Sequence, residues 1–240
     1  MIKLLLLLLS GAKLGKLFMT GGTMLVSLVV YAFIFGWKYA AGFIGLLFAH
    51  EMGHYLAAKK RGLDVGAPTF IPFVGAWINL KDQPRDVETE AYVALAGPLL
   101  GTVAAIACYL VADANGPRWL MAVAYSGFFL NLFNLLPLSP LDGGRITAVM
   151  SPRIWFVGVP LLAAMFFWRP NPLLLIIGLL AAPQLMKAWK YDPKAPENQA
   201  YYTISSRQRF EYVALYLGLA AYLAYMAHET HELISATAAP

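Results

Sequence analysis

Apolar stretches about the length of a membrane-crossing helix alternate along this chain with short polar connections. The pattern predicts spans near 17–36, 39–58, 91–112, 119–136, 154–168, 171–188 and 211–227, each close to the roughly 20 apolar residues that cross a bilayer core. Several are short, and Pro137, Pro140, Pro160, Pro170, Pro172 and Pro183 crowd the second half. Tilted or interrupted helices are therefore expected there, because proline removes a backbone donor. The opening MIKLLLLLLSGAK has a leucine block too short for a signal-peptide core, followed by Lys13 and Lys16. It is expected to form an interfacial helix over residues 1–16. PTFIPFVGAWINLK, 68–81, contains β-prone Ile71, Phe73, Trp77 and Ile78 with Gly75 as a turn. A short re-entrant β-hairpin is expected there, the alternative being an apolar loop in the membrane interface.

These elements predict an all-α polytopic membrane protein with six to seven transmembrane helices. A single membrane-embedded domain is expected over 1–240, with a catalytic core near 40–150 and additional helices over 154–227. Composition agrees: 60% of residues are hydrophobic and 13% charged, against about a quarter charged in ordinary soluble domains. The net charge of +5 is explained by topology rather than by a nucleic-acid partner. With a cytoplasmic N-terminus and seven crossings, only Lys38, Arg118 and Arg169 of the 18 Lys and Arg fall on the far side. That is the positive-inside bias. Cys108 is the only cysteine, which excludes an intrachain disulfide and reads as a small buried hydrophobe. Oligomeric state is not encoded in any of these features.

Into this apolar pattern the chain inserts FAHEMGHYLA, 48–57. Ionisable side chains within a membrane helix are expensive and mark function. His50 and His54, four residues apart, share a helix face and can present two imidazoles to one ion. Glu51 is rotated by roughly 100 degrees, placed to reach a water beside that ion. This is the mechanical content of H-E-x-x-H, two zinc ligands and a general base. A catalytic zinc needs a third protein ligand. The other histidines, His228 and His231, are expected across the membrane in HETHE, a solvated helix end, and most other acids fall in polar loops. Asp142 in NLFNLLPLSPLDGGR remains. As an alternative it would start an Asp-Gly turn, with Gly143 and Gly144 bending the backbone behind it.

HEMGH together with NLLPLSPLDGGR, beginning at Asn134, resembles the site-2 protease family of intramembrane zinc metalloproteases. The resemblance implies one zinc ion held by His50, His54 and Asp142, with Glu51 as catalytic base. It also implies that Asn134 positions substrate backbone or stabilises the oxyanion. AGPLLG, 96–101, matches a further family element, but Gly101 stands where many members have asparagine. Gly97 and Gly101 then read as permitting close helix packing. Asn131, one helical turn before Asn134, is in position to line the same cavity or to bond between helices, and is not selected as a site residue. The chain resembles the compact form without PDZ or CBS domains, which points to a bacterial plasma membrane with the active-site end cytoplasmic. The implied partners are a transmembrane protein substrate and the lipid bilayer. Competing readings are a non-proteolytic zinc-binding scaffold and a metal transporter; Glu51 between the histidines argues for catalysis over transport.

Overall fold

A computed structural model describes residues 20–66, 68–72, 75–77, 84–114 and 116–238. Its helices are α1 (Thr20–Phe35), α2 (Trp37–Lys60), α3 (Val87–Asp113), α4 (Arg118–Asn134), α5 (Asp142–Thr147), α6 (Trp155–Trp168), α7 (Pro172–Trp189), α8 (Pro196–Tyr202) and α9 (Ser206–Ala238). Between α2 and α3, β1 (Thr69–Ile71) pairs antiparallel with β2 (Gly75–Trp77), in a register that sets Phe70 opposite Ala76. Helices thus occupy every expected span. α3, α7 and α9 are long and apolar enough to cross a membrane, and α1 and α6 are shorter apolar helices. The protein is an integral membrane protein with multiple apolar helices. The expected interfacial helix over 1–16 lies outside the described residues.

Three local expectations change. Pro160 and Pro183 sit inside continuous helices, α6 and α7, instead of ending them; neighbouring helices in a membrane re-satisfy the freed carbonyls. The hairpin forms, but Gly75 opens β2 opposite Ile71 and does not make the turn; Phe73 and Ile78 lie outside the described residues. HETHE is not a helix end, because α9 runs beyond it.

α2, α3, α4 and α9 pack into the core. α2 meets α3 through small buried residues, Gly53, Ala57 and Ala58 facing the segment that holds Ala91, Ala94 and Gly97. Without a hydrophobic gradient between helices in lipid, such close backbone approach supplies the packing energy. Gly53 marks the tightest point, where a Cβ would overlap the Ala96 carbonyl. α4 adds Val123, Ala124 and Phe128, all fully buried, and α9 adds Leu223.

A polar layer closes one end of this bundle. The Asp86 carboxylate caps α3 by accepting the Thr89 amide at 2.7 Å, and Glu88 and Glu90 lie in the first turn, where the helix dipole favours negative charge. Glu88 Oε1 accepts from Arg61, at the end of α2, and from the Tyr212 hydroxyl of α9, both at 2.6 Å. Glu90 accepts from Arg145 of α5 at 3.2 Å and from the Tyr201 hydroxyl of α8 at 2.6 Å. Burial, and then the charge of Glu90, hold Tyr201 well above the ordinary tyrosine range, so its hydroxyl remains a donor. Two carboxylates therefore tie α2, α5, α8 and α9 to the N-terminus of α3.

The packing argument is tested by Gly53→Ala against Gly45→Ala on the same helix, where a Cβ meets nothing within 4 Å. Overpacking at Gly53 is expected to cost about 1–3 kcal/mol, read as a lowered thermal midpoint in detergent. Gly45→Ala should leave that midpoint unchanged.

Candidate active site

His50, Glu51 and His54 are all buried on α2. Asp142 is the first residue of α5 and is also buried. The fold brings its carboxylate to the two imidazoles: Asp142 Oδ2 lies 3.1 Å from His50 Nε2 and 3.2 Å from His54 Nε2. The two Nε2 atoms are themselves 3.1 Å apart. These residues are the one cluster among the described residues that could hold a metal.

The hydrogen bonds behind the imidazoles decide what this triangle is. His54 Nδ1 donates to the Val93 carbonyl of α3 at 2.8 Å. His50 Nδ1 lies 2.8 Å from Asn131 Oδ1 on α4. Asn131 Nδ2 donates to the Gly127 carbonyl at 2.7 Å, which orients the amide so that its oxygen faces His50. Both Nδ1 atoms therefore carry protons, and both Nε2 atoms present lone pairs. Two lone pairs and a carboxylate oxygen converging in a low-dielectric interior repel one another unless a cation sits among them. Edges of 3.1–3.2 Å suit a tetrahedral ion, since zinc–donor bonds of about 2.0 Å imply donor separations of about 3.3 Å. The residues fit a single zinc.

Two glycines of α3 make room for this arrangement. A Cβ on Gly97 would overlap the His54 ring, and one on Gly101 would overlap the Asn131 amide. Their role is thus more specific than general helix packing. Gly143 and Gly144 do not form a turn behind Asp142: both are helical, and neither has positive φ. They lie against backbone, Gly143 on the Leu135 carbonyl and Gly144 on the Leu138–Ser139 peptide. Close approach of α5 to the segment after α4, not conformational freedom, requires them. The Trp155 indole then donates to the Gly144 carbonyl at 2.7 Å and pins α5 in place.

A cavity of about 390 Å³ opens beside the cluster, and His50, Glu51, His54, Asp142 and Asn134 all border it. Asn134 spends one amide hydrogen on the Leu130 carbonyl at 3.1 Å, and its second has no partner among the described residues. Tyr31 of α1, Ala76 of β2 and Ile176 of α7 complete different walls. His228 and His231 are exposed on α9, away from the cluster; His231 packs against Tyr125 at 5.7 Å. Asp82 lies outside the described residues, while Asp86, Glu88 and Glu90 are engaged in the polar layer.

Comparison with known proteins identifies the family. The model of peptidase family M50 matches residues 38–117, which contain the HEMGH helix and α3. The zinc metalloprotease MJ0392 of Methanocaldococcus jannaschii is 30% identical over 138 residues, covering 55% of this chain and 40% of that protein. A second protein of that organism, MJ0611, for which zinc metalloprotease activity is proposed, is 30% identical over 148 residues and 75% of its length is covered. The chain belongs to peptidase family M50. The chain spans about two fifths of MJ0392 and about a third of the Rip3 protein of Mycobacterium tuberculosis. A solved structure, the site-2 protease from Methanocaldococcus jannaschii, aligns with a TM-score of 0.44 at 21% identity, over 76% of this chain and 88% of that one.

Asn131 is the residue that sequence reasoning did not select for the M50 site. Its signal was present: an asparagine inside an apolar helix, one turn before Asn134, with a glycine at 101 where a side chain was expected. Only the crossing of α3 and α4 showed that the two facts concern one spot. Purified protein is expected to carry one zinc per chain. Asn131→Leu is expected to weaken zinc binding about 10- to 100-fold, read by competition with a chelator. Asn131→Asp, which keeps an acceptor facing His50, should retain affinity within a few-fold.

Proposed function

We propose that this chain is an intramembrane zinc endopeptidase that hydrolyses peptide bonds within or near transmembrane segments of membrane-protein substrates. The observation that carries the reading is the buried Glu51 carboxylate bordering the same cavity as the His50–His54–Asp142 triangle. A transporter or a zinc-holding scaffold needs the ligands but gives no reason for that carboxylate.

When bound by these three residues, zinc supplies Lewis-acid polarisation and an acidified water. Glu51 accepts the proton as water adds to the scissile carbonyl, and returns it to the leaving nitrogen as the C–N bond breaks. The spare amide hydrogen of Asn134 is available to the oxygen that gains charge. Val93 and Asn131 hold the imidazoles in one tautomer throughout. Arg145, on the cavity wall and bridged to Glu90, anchors the helix that begins with Asp142.

Substrate access follows from the walls. Ile176 and Leu180 of α7 border the cavity and are also exposed on the outer surface, so an apolar segment can approach from the bilayer. A membrane helix hides its carbonyls in hydrogen bonds and must unwind to be cut. β2 pairs only with β1 among the described residues, and Ala76 places it on the cavity, which supports pairing with an unwound substrate strand. The orientation with a cytoplasmic N-terminus and active-site end, six to seven crossings and a bacterial plasma membrane belong to the same proposal. The charge bias along the chain supports the orientation.

Reconstitution with a panel of single-span substrates tests the reading. Glu51→Gln is expected to retain zinc and to lose cleavage by at least about 100-fold, whereas His54→Ala loses both. Undiminished cleavage by Glu51→Gln would falsify the mechanism. Zinc uptake into proteoliposomes is expected to be absent; its presence would favour a transporter. Asn134→Ala should lower kcat about tenfold or more with little change in zinc content.

A further inference from the structure

A second cavity, of about 750 Å³, lies on the other side of Arg145 and has no part in the proposed hydrolysis. It shares Arg145 and Pro140 with the catalytic cavity but is an open cleft bordered by the last turn of α7, by α8 and by Trp155. Its lining is polar. Gln184, Asn198 and Tyr202 supply hydrogen-bonding groups, and the only carboxylate on its wall is Glu90. Both Glu90 oxygens are already engaged, one by Arg145 and one by Tyr201. Lys187 and Lys190 also line the cavity, and neither ammonium has an ion-pair or hydrogen-bond partner among the described residues. Both lysines are exposed, and the lining carries three cationic side chains, Arg145, Lys187 and Lys190, against the single carboxylate of Glu90. The dipole at the end of α7 favours a cation there, yet it does not explain a polar cavity of this size facing both lysines.

The position of the cleft at the end of an apolar helix points to the kind of anion. α7 is apolar and long enough to cross a membrane, and both lysines sit at its C-terminal end. Trp189 between them is 77% exposed, as expected of an indole at the headgroup level. Arg153 closes the same corner through the Tyr191 carbonyl at 3.0 Å. The polar layer places this mouth at the end of the bundle where α2 finishes in Lys59, Lys60 and Arg61. Basic pockets between membrane helices at that level take anionic headgroups. We propose that the cavity bounded by Lys187, Lys190 and Arg145 binds the phosphate headgroup of an anionic membrane lipid. The site stands independently of whether the neighbouring zinc centre hydrolyses peptides.

The full chain in phosphatidylcholine vesicles, probed with spin-labelled phosphatidylglycerol and spin-labelled phosphatidylcholine, tests this through the immobilised fraction of each label. Wild type is expected to select phosphatidylglycerol, and Lys187→Ala/Lys190→Ala to lose that selectivity roughly tenfold. The Lys59→Ala/Lys60→Ala variant removes the same charge at the same membrane end outside the cavity, and should keep it. Unchanged zinc content and helical circular dichroism establish that both variants fold. Equal loss in the two variants would mean diffuse surface attraction and overturn the site, as would a wild type without selectivity. Displacement of the label by inorganic phosphate, at an ionic strength where chloride displaces none, would assign the cavity to free phosphate and overturn the lipid.

Discussion

Two imidazole lone pairs and a carboxylate oxygen meet within 3.2 Å of one another inside a helical bundle. In an apolar interior such a set is unfavourable by itself, and a divalent cation turns each repulsion into coordination. The rest of the structure is arranged around this condition. α2 supplies two donors at one helical turn's spacing, and α5 must deliver the third from a segment almost ninety positions later. α3 and α4 must hold the imidazoles in the tautomer that leaves Nε2 bare.

Small residues satisfy the geometric side of that requirement. Gly53 lets α3 approach α2, which brings the Val93 carbonyl within reach of His54. Gly97 then leaves space for the ring, and Gly101 leaves space for Asn131. Close backbone contact at α5, through Gly143 and Gly144, places Asp142 opposite the pair. In this site glycine determines where polar side chains of neighbouring helices can stand.

The electrostatic side is divided between two depths. Within the bundle, the buried carboxyl and imidazole side chains among the described residues are His50, Glu51, His54 and Asp142. At its end, Glu88 and Glu90 gather Arg61, Arg145 and two tyrosines into a polar layer. Arg145 belongs to both levels, because it borders the cavity beside the His50–His54–Asp142 cluster and the basic cleft next to it. Through Glu90, Arg145 joins the helix bearing Asp142 to Tyr201 of α8.

The sequence by itself determined the helices, since their apolar spans are set by what a bilayer tolerates, and it determined the His50–His54 face, because helical spacing is local. Asp142 was legible by exclusion and by its motif. The glycines beside it were legible only as glycines: their turn-like spelling conceals a helix whose packing forbids a Cβ. Asn131, the Val93 carbonyl and the sockets at Gly97 and Gly101 depend on how α2, α3 and α4 cross. The polar layer joins Glu90 to Tyr201 across 111 positions, a pairing that no periodicity announces. Those decisions belonged to the tertiary structure, because backbone approach between helices is set by side chains that are far apart in the chain.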